Sequence, residues 1–214
     1  MFQTNYAQYY DLFNSDKPYK KEIRFVYKWA ENPKTILDIG CGTANYWKYY
    51  PKETKLAGVE MSKHMVEVSP HYKNIIQLDI SKHHIIVGKY DCVTALFDVI
   101  NYIPNQNWWK NLPIKKGGYF IFDVWDSKKV DADGFHESFR LKNGVSRTIK
   151  RIGGTDKIVD LEVEIVDGEF EHKEEHKMYL YSHDDIVKSC GKEFDIVEVK
   201  ETENWQRWYK LRRK

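Results

Sequence analysis

The chain has 214 residues, 42% of them hydrophobic, which is enough for one sizeable core or a core with a small added lobe. Lys and Arg number 34 against 32 Asp and Glu, so a formal net charge of +2 gives no global drive toward nucleic acid or a membrane surface. A mean hydropathy of −0.67, with no run of about 18 apolar residues, argues against a membrane-spanning helix. The N-terminus, MFQTNYAQYYDLFNSDKPYKK, lacks the basic-then-apolar pattern of a signal peptide. Cys41, Cys92 and Cys190 are odd in number and far apart, with no CxxC pair, so they read as reduced thiols of a cytoplasmic protein. Aromatic residues make up 15%, with 15 Tyr and 7 Trp, which suits a pocket or interface rich in flat surfaces and also suits a core.

Residues 3 to 31 read as two helices. Asp16 and Pro18 mark the start of the second, and Ile23, Val26, Tyr27 and Ala30 recur at helical spacing until Asn32-Pro33 ends it. Short apolar strands follow at Thr35 to Ile39, Lys55 to Val59, Ile75 to Leu78, Cys92 to Phe97 and Tyr119 to Val124, with room for short helices between them. Near-continuous apolar strands alternating with helices predict an α/β fold, a doubly wound, mostly parallel sheet covered on both faces. After Trp125 the period changes. Thr148 to Ile152 and Ile158 to Ile165 alternate in period two, and Gly153-Gly154 and Asp167-Gly168 supply turns, which predicts an antiparallel insert. Met178 to Tyr181 reads as a further strand. Ser182 caps a helix from Asp184 to about Ser189, and strands at Phe194 to Val199 and about Arg207 to Leu211 close the chain. The expected organisation is a helical lid over 1–31, a core of 32–127 and 177–214, and an insert over 128–176 that caps the pocket and makes a dimer contact.

The chemistry concentrates where strands end. Ile36-Leu37-Asp38-Ile39-Gly40-Cys41-Gly42-Thr43 runs a strand into glycines and toward a helix. Glycines let backbone pass close to a ligand, and amides at the following helix start can hold a carboxylate. Glu60 stands 22 residues after Asp38, at the end of the next strand, where a carboxylate suits a ribose diol. Asp79, after the third strand, is placed to meet an adenine amine. Each also has a plainer reading: a turn cap for Asp38, an exposed strand end for Glu60, a helix N-cap for Asp79. A dinucleotide fingerprint needs a third glycine where this chain has Asn45.

LDIGCGTANYW resembles the first motif of class I S-adenosylmethionine (SAM)-dependent methyltransferases, GVEMS their acidic second motif and QLDIS their third. The resemblance extends to the small-molecule branch that N-methylates nucleotide-linked amino sugars. Tyr10-Asp11-Leu12 with Lys17-Pro18-Tyr19 is similar to its N-terminal lid, and Asp91 to Phe97 with Ile100 to Ile103 to its fourth strand and active-site helix. Glu174-Glu175-His176 leading into Met178 to Tyr181 is similar to the end of its antiparallel insert. The segment Asn105 to Lys116 is short for that branch, and Tyr102 stands where the branch often carries a histidine. The resemblance implies a seven-stranded, Rossmann-like sheet with SAM as cofactor and a small-molecule acceptor. It implies that Tyr10 and Tyr19 close over SAM and touch its methionine carboxylate. Asp38, Gly40, Cys41 and Gly42 would line methionine and ribose. Glu60 would hold the ribose hydroxyls, Met61, Asp79 and Ile80 would meet adenine, and the Leu96 carbonyl would carry the methionine amine.

Methyl transfer from a sulfonium is an in-line displacement. The protein aligns the nucleophile and excludes water, and an amine must be neutral when it attacks. Asp98 and Tyr102, after the fourth strand, are the candidates for taking its hydrogen bonds or proton, with N-capping and core packing as their plainer roles. Tyr6, Phe97, His136 and Arg207 are candidates for the acceptor side, and a basic residue at 207 would welcome a nucleotide phosphate. His172-Lys173-Glu174-Glu175-His176 matches a zinc-protease pattern that requires a helix, and the period here reads instead as an exposed strand. The basic, aromatic C-terminus from Trp205 to Lys214 suits either RNA or a last strand with a solvated tail. An inactive binding module and a NAD-dependent reductase are the remaining classes.

Overall fold

The computed structural model describes residues 4–83, 88–105, 107–125, 136–141, 143–202 and 206–214. Helices α1 (Thr4–Phe13) and α2 (Tyr19–Trp29) lead into β1 (Thr35–Ile39) and β2 (Lys55–Glu60). Helix α3 (Lys63–Val68) follows, then β3 (Ile75–Gln77), β4 (Tyr90–Ala95) and β5 (Ile114–Trp125). The insert comprises β6 (His136–Arg140), β7 (Ser146–Gly154), β8 (Ile158–Asp167) and β9 (Phe170–Tyr179). Helix α4 (His183–Cys190), β10 (Phe194–Glu201) and β11 (Gln206–Arg213) complete the chain.

Seven strands form one sheet in the order β10-β11-β5-β4-β1-β2-β3. The pairs β1–β2, β1–β4, β2–β3 and β4–β5 are parallel, and β11 runs antiparallel to both β5 and β10. The chain therefore winds outward in one direction from β1 through β2 and in the other through β4. The switch point lies at the carboxyl ends of β1 and β4, where such sheets hold ligands.

The apolar strands expected from the sequence serve two cores. Ile36, Cys92 and Ile121 face Ile23, Val26 and Trp29 of α2. Leu37, Val93, Phe120 and Phe122 face the other way, against Trp109, Ile186 of α4 and Tyr209. Burial on both faces is why these strands read as nearly unbroken apolar runs. Helix α4 opens with a capping box, Ser182 and Asp185 satisfying each other's backbone amides.

The insert is a separate four-stranded antiparallel sheet, β6-β7-β8-β9. Val163 and Ile165 of β8 pack with Tyr6, Ala7 and Phe13 of α1. Val159 and Leu161 pack with Met178 and Tyr102. One wet and one dry face give β8 its strict burial alternation. Strand β9 runs unbroken from Phe170 to Tyr179, joining the strand expected at Met178 to the exposed strand expected at His172 to His176.

Two expected helices shrink. After the glycines the chain makes only a 3-10 turn over Asn45–Tyr49, because Tyr46 and Trp47 turn inward and Pro51 blocks extension. After β4 there is likewise a 3-10 turn, Val99–Tyr102, with Pro104 two residues on.

Trp109 is fully buried, with ring centroids 5.4 and 5.0 Å from Phe120 and Phe122. Trp109→Ala is expected to cost about 3–5 kcal/mol of unfolding free energy, against about 1 kcal/mol for Ser182→Ala at the cap. Urea titration of both variants checks the contrast.

Candidate active site

A crevice of about 870 Å³, counting its open mouth, lies at the switch point. Its floor is the turn that leaves β1. Gly40 and Gly42 both take left-handed backbone conformations, with φ of +63° and +56°. A Cβ on Gly40 would come within 2.6 Å of the Val99 side chain, so the position requires glycine twice over, for conformation and for space. The Gly40 and Cys41 amides both donate to the Val59 carbonyl (2.7 and 3.2 Å), which ties the turn to β2.

Two carboxylates hold this turn. Asp38 is fully buried beneath it. The Tyr46 hydroxyl (2.6 Å) and Trp47 indole N–H (2.7 Å) donate to its Oδ2, and the Thr94 hydroxyl (2.7 Å) donates to Oδ1. Burial pushes the Asp38 carboxyl upward in pKa, and these three donors pull it back. Asp38 thus stands behind the crevice wall and does not line it. Glu60 does line the crevice. It accepts the Gly42 amide at Oε2 (2.9 Å) and the Ser62 amide at Oε1 (2.7 Å). Burial raises its pKa, and those amides oppose the rise. Three amides, of Gly42, Met61 and Ser62, act on a carboxylate that has about four lone-pair sites, which leaves room for a hydroxyl donor.

Asp79 lines the rim. Its Oδ1 accepts the Ser81 amide (3.0 Å) and hydroxyl (2.6 Å), and Oδ2 pairs with Lys82 (3.0 Å). Desolvation raises its pKa, but Ser81 and Lys82 outweigh it and hold the group below the ordinary range. Tyr10, Cys41, Met61, Ile80, Leu96, Phe97 and Tyr102 also line the crevice. Burial pushes the Cys41 thiol well up, so it stays a thiol and is no nucleophile.

Other expected site residues lie elsewhere. Tyr19 is buried behind the wall, stacked on Tyr46 (5.7 Å) and edge-on to Phe97 (5.1 Å). Tyr6 sits one layer back, its ring 6.0 Å from Tyr10 and 5.9 Å from His176. Asp98 does not cap the turn that follows it; its Oδ1 accepts from Gln206 (3.3 Å), on the β5–β11 side. His136 is exposed on edge strand β6. Arg207 pairs with Glu201 (3.1 Å) across the β10–β11 ladder. Neither His136 nor Arg207 lines the crevice. The basic C-terminal stretch forms β11, with Trp208 and Tyr209 buried in the two cores; Trp205 lies outside the described residues.

The sequence reading did not place Tyr46, His176 or Glu174 at the site. Tyr102 donates toward or accepts from His176 Nδ1 at 2.9 Å, and His176 Nε2 lies 2.6 Å from Glu174 Oε1. Both are on β9, in the segment expected to be an exposed strand. It is a strand, yet Glu174 and His176 are 5% and 3% exposed, because alternate residues of β9 face inward. Among the described residues, no cluster of three or more His, Cys, Asp or Glu is arranged to hold a metal ion.

No protein-family model matches the sequence, and no curated protein matches it. Solved structures do match in fold. A SAM-dependent methyltransferase from Clostridium acetobutylicum ATCC 824 is 23% identical over 95% of each chain, with a TM-score of 0.79. SAM-bound CalS10, an amino pentose methyltransferase from Micromonospora echinaspora, is 16% identical over 100% of this chain and 98% of its own, with a TM-score of 0.77. The sugar N-methyltransferase KedS8 from Streptoalloteichus sp. ATCC 53650 is 17% identical over 96% and 93%, at 0.74. The chain therefore has the Rossmann-like fold of these enzymes, insert included.

Asp38→Ala would strip three buried donors of their acceptor. A loss of at least about 3 kcal/mol is expected, measured by chemical denaturation. A loss under about 1 kcal/mol would mean that the turn does not depend on this carboxylate.

Proposed function

We propose that the chain is a SAM-dependent methyltransferase acting on a small polar acceptor, and that the acceptor is the amino group of a nucleotide-linked amino sugar. The observation that carries the reading is the Glu60–Gly42 bond of 2.9 Å, which joins the carboxylate ending β2 to the glycine turn ending β1. That pairing sets a hydroxyl acceptor beside a stretch of backbone stripped of side chains, the combination an adenosyl group requires. Several further features fit the same cofactor. Asp79 and Ile80 follow the next strand along, Met61 offers an exposed thioether, and Tyr10 lies over Gly42. SAM supplies an electrophilic methyl group when bound. The chain's part is to bind it, orient the acceptor and keep water out.

The acceptor side is aromatic. Phe97 and Tyr102 line the crevice, and the insert sheet packs against α1 and Tyr102, an arrangement that suits a cap over the acceptor. The fold neighbours include enzymes named for amino pentose and sugar N-methylation, which supports an amine on a sugar. Methylation of another small metabolite, on nitrogen or oxygen, would use the same crevice. RNA as acceptor draws less support, since the basic C-terminal stretch is committed to β11 and two of its aromatic rings to the cores.

Calorimetry should detect SAM binding to the purified chain. Glu60→Ala is expected to weaken it at least tenfold, since the ribose diol loses a charged acceptor worth about 1.5–3 kcal/mol. In thermal-shift measurements SAM should raise the melting temperature and NAD should leave it unchanged. An unchanged dissociation constant in Glu60→Ala would remove the ribose assignment, and stabilisation by NAD alone would remove the methyltransferase reading.

A further inference from the structure

An amine acceptor arrives largely as an ammonium, and its proton must leave before nitrogen can attack. We propose that Tyr102, His176 and Glu174 form a relay that takes this proton from the crevice and stores it beneath the insert sheet, which makes Tyr102 the catalytic residue and His176 and Glu174 its positioning residues. The inference rests on the methyltransferase reading above and extends it.

The geometry is continuous. Tyr102 lines the crevice, its hydroxyl is 2.9 Å from His176 Nδ1, and His176 Nε2 is 2.6 Å from Glu174 Oε1. The chain of groups thus runs from the cavity wall to a carboxylate that is 5% exposed. Strand alternation places it there: His172, Glu174, His176 and Met178 share the inward face of β9. Opposite them β8 presents Leu161 to His176 and Val163 to Glu174, both buried. A buried carboxylate and imidazole are costly unless hydrogen-bonded, and such placements concentrate at functional sites.

The charged and titratable groups around His176 come from several elements. Tyr6 of α1 is edge-on to it at 5.9 Å, with Arg147 of β7 beside Tyr6. Tyr102 comes from the turn after β4, with the charge of Asp98 acting on it. On β9 itself are Glu174 and, 3.8 Å from Glu174, His172. On its inward face β8 adds only Val159, Leu161, Val163 and Ile165.

Glu174 accepts the Nε2–H of His176, which leaves Nδ1 bare to accept from Tyr102. Burial pushes the Tyr102 phenol well above its ordinary pKa, so Tyr102 conducts a proton and does not surrender one to solvent. The ammonium gives one proton to the Tyr102 oxygen as the phenolic proton moves to His176 Nδ1. Tyr102 ends neutral, and the amine has lost the charge that His176 has gained opposite Glu174. The freed nitrogen pair can then form the N–C bond while the sulfur–methyl bond breaks and leaves its electrons on sulfur.

The test uses the full chain labelled with 15N-histidine. Long-range NMR should find neutral His176 as the Nε2–H tautomer with Nδ1 bare. An Nδ1–H tautomer would overturn the relay, whatever the acceptor. Turnover is measured in parallel with UDP-glucosamine as the amine probe. His176→Gln and Tyr102→Phe should each slow methylation by about 100-fold near pH 7, within the usual range for a lost general base. The deficit should shrink to a few fold by about pH 10, above the ordinary range of an α-amino group, where the amine is already neutral. Glu174→Gln should keep the tautomer through its amide oxygen and lose rate near neutral pH with the same pH-dependent recovery. A deficit equal at every pH would assign these residues a structural role and overturn the proposal. Calorimetric SAM affinity within about threefold of the parent shows that a variant is folded. Loss of SAM binding by the parent chain itself would instead refute the methyltransferase reading. If the parent binds SAM but leaves UDP-glucosamine unmethylated, the sugar-amine acceptor fails and the tautomer alone decides the relay.

Discussion

The Asp38 carboxylate, sealed beneath the turn that ends β1, is the constraint on which the crevice depends. A buried carboxylate survives only if its lone pairs are met, and here a tyrosine, a tryptophan and a threonine meet them. Those bonds pull Tyr46 and Trp47 inward, which makes the segment after the glycines a tight 3-10 turn in place of the longer helix its position suggests. The inward Trp47 lies so close to β2 that a Cβ on Gly58 would come within 2.9 Å of its ring and 2.6 Å of Cys41 Sγ. Gly58 is therefore the space that lets the turn pack down, and the Glu60–Gly42 bond forms two residues further along the same strand. The floor of the crevice is one interlocked unit of β1, β2 and the turn between them.

The insert is attached through a different polar residue. Asn101 is fully buried; its Oδ1 accepts the Trp125 amide (2.9 Å) at the end of β5, and its Nδ2 donates to the Tyr179 carbonyl (2.8 Å) at the end of β9. These are the last residues of β5, which precedes the insert, and of β9, its final strand, so one side chain fixes where the chain enters the insert and where it leaves. The next residue but one after that anchor, Ile103, takes the Tyr181 hydroxyl on its carbonyl. Tyr102 lies between these two fastenings. That explains how a residue in a short turn can hold a 2.9 Å bond to His176 on a separate sheet.

Much of this was legible in the sequence, for identifiable reasons. The strands of the large sheet are apolar on both faces, so period mattered less than length and punctuation, and the alternation of strand and helix gave the mostly parallel, doubly wound class. The glycine turn, Glu60 and Asp79 were readable because each stands at or just after the end of a strand. The side-chain direction of Asp38 was not readable, since a carboxylate two residues before a glycine turn can face either outward to a ligand or inward to donors. That choice was made by Tyr46 and Trp47, eight and nine residues later. Glu174 and His176 were obscured by composition: HKEEHK reads as a solvated run. The signal that would have found them is register. Met178 must face inward, and counting back by two brings His176, Glu174 and His172 to the same side.

The turn after β4 shows how backbone strain is used at this site. Phe97 and Asp98 both adopt left-handed conformations, with φ of 64° and 65°, without being glycine. Each such residue costs on the order of 1 kcal/mol or more and persists only where surroundings over-determine it. Here the over-determination is Asp123, fully buried at the end of β5, whose two oxygens accept the Phe97 amide (2.8 Å) and the Asp98 amide (3.0 Å). Gln206 of β11 donates to the same carboxylate (2.6 Å), so the grip is itself braced by the antiparallel strand next door. Burial, reinforced by the charge of Asp98, pushes the Asp123 carboxyl well above the usual range, which marks how much the arrangement costs. The result is a sharp reversal that ends the strand, lays Phe97 against Tyr19 and Tyr46 on one side of the crevice, and starts the short turn that delivers Tyr102 to the other. A relaxed helical start at this point would keep the backbone bonds but would carry Phe97 and Tyr102 away from these two walls. The strain is therefore what allows Phe97 and Tyr102, five positions apart, to furnish two walls of one crevice.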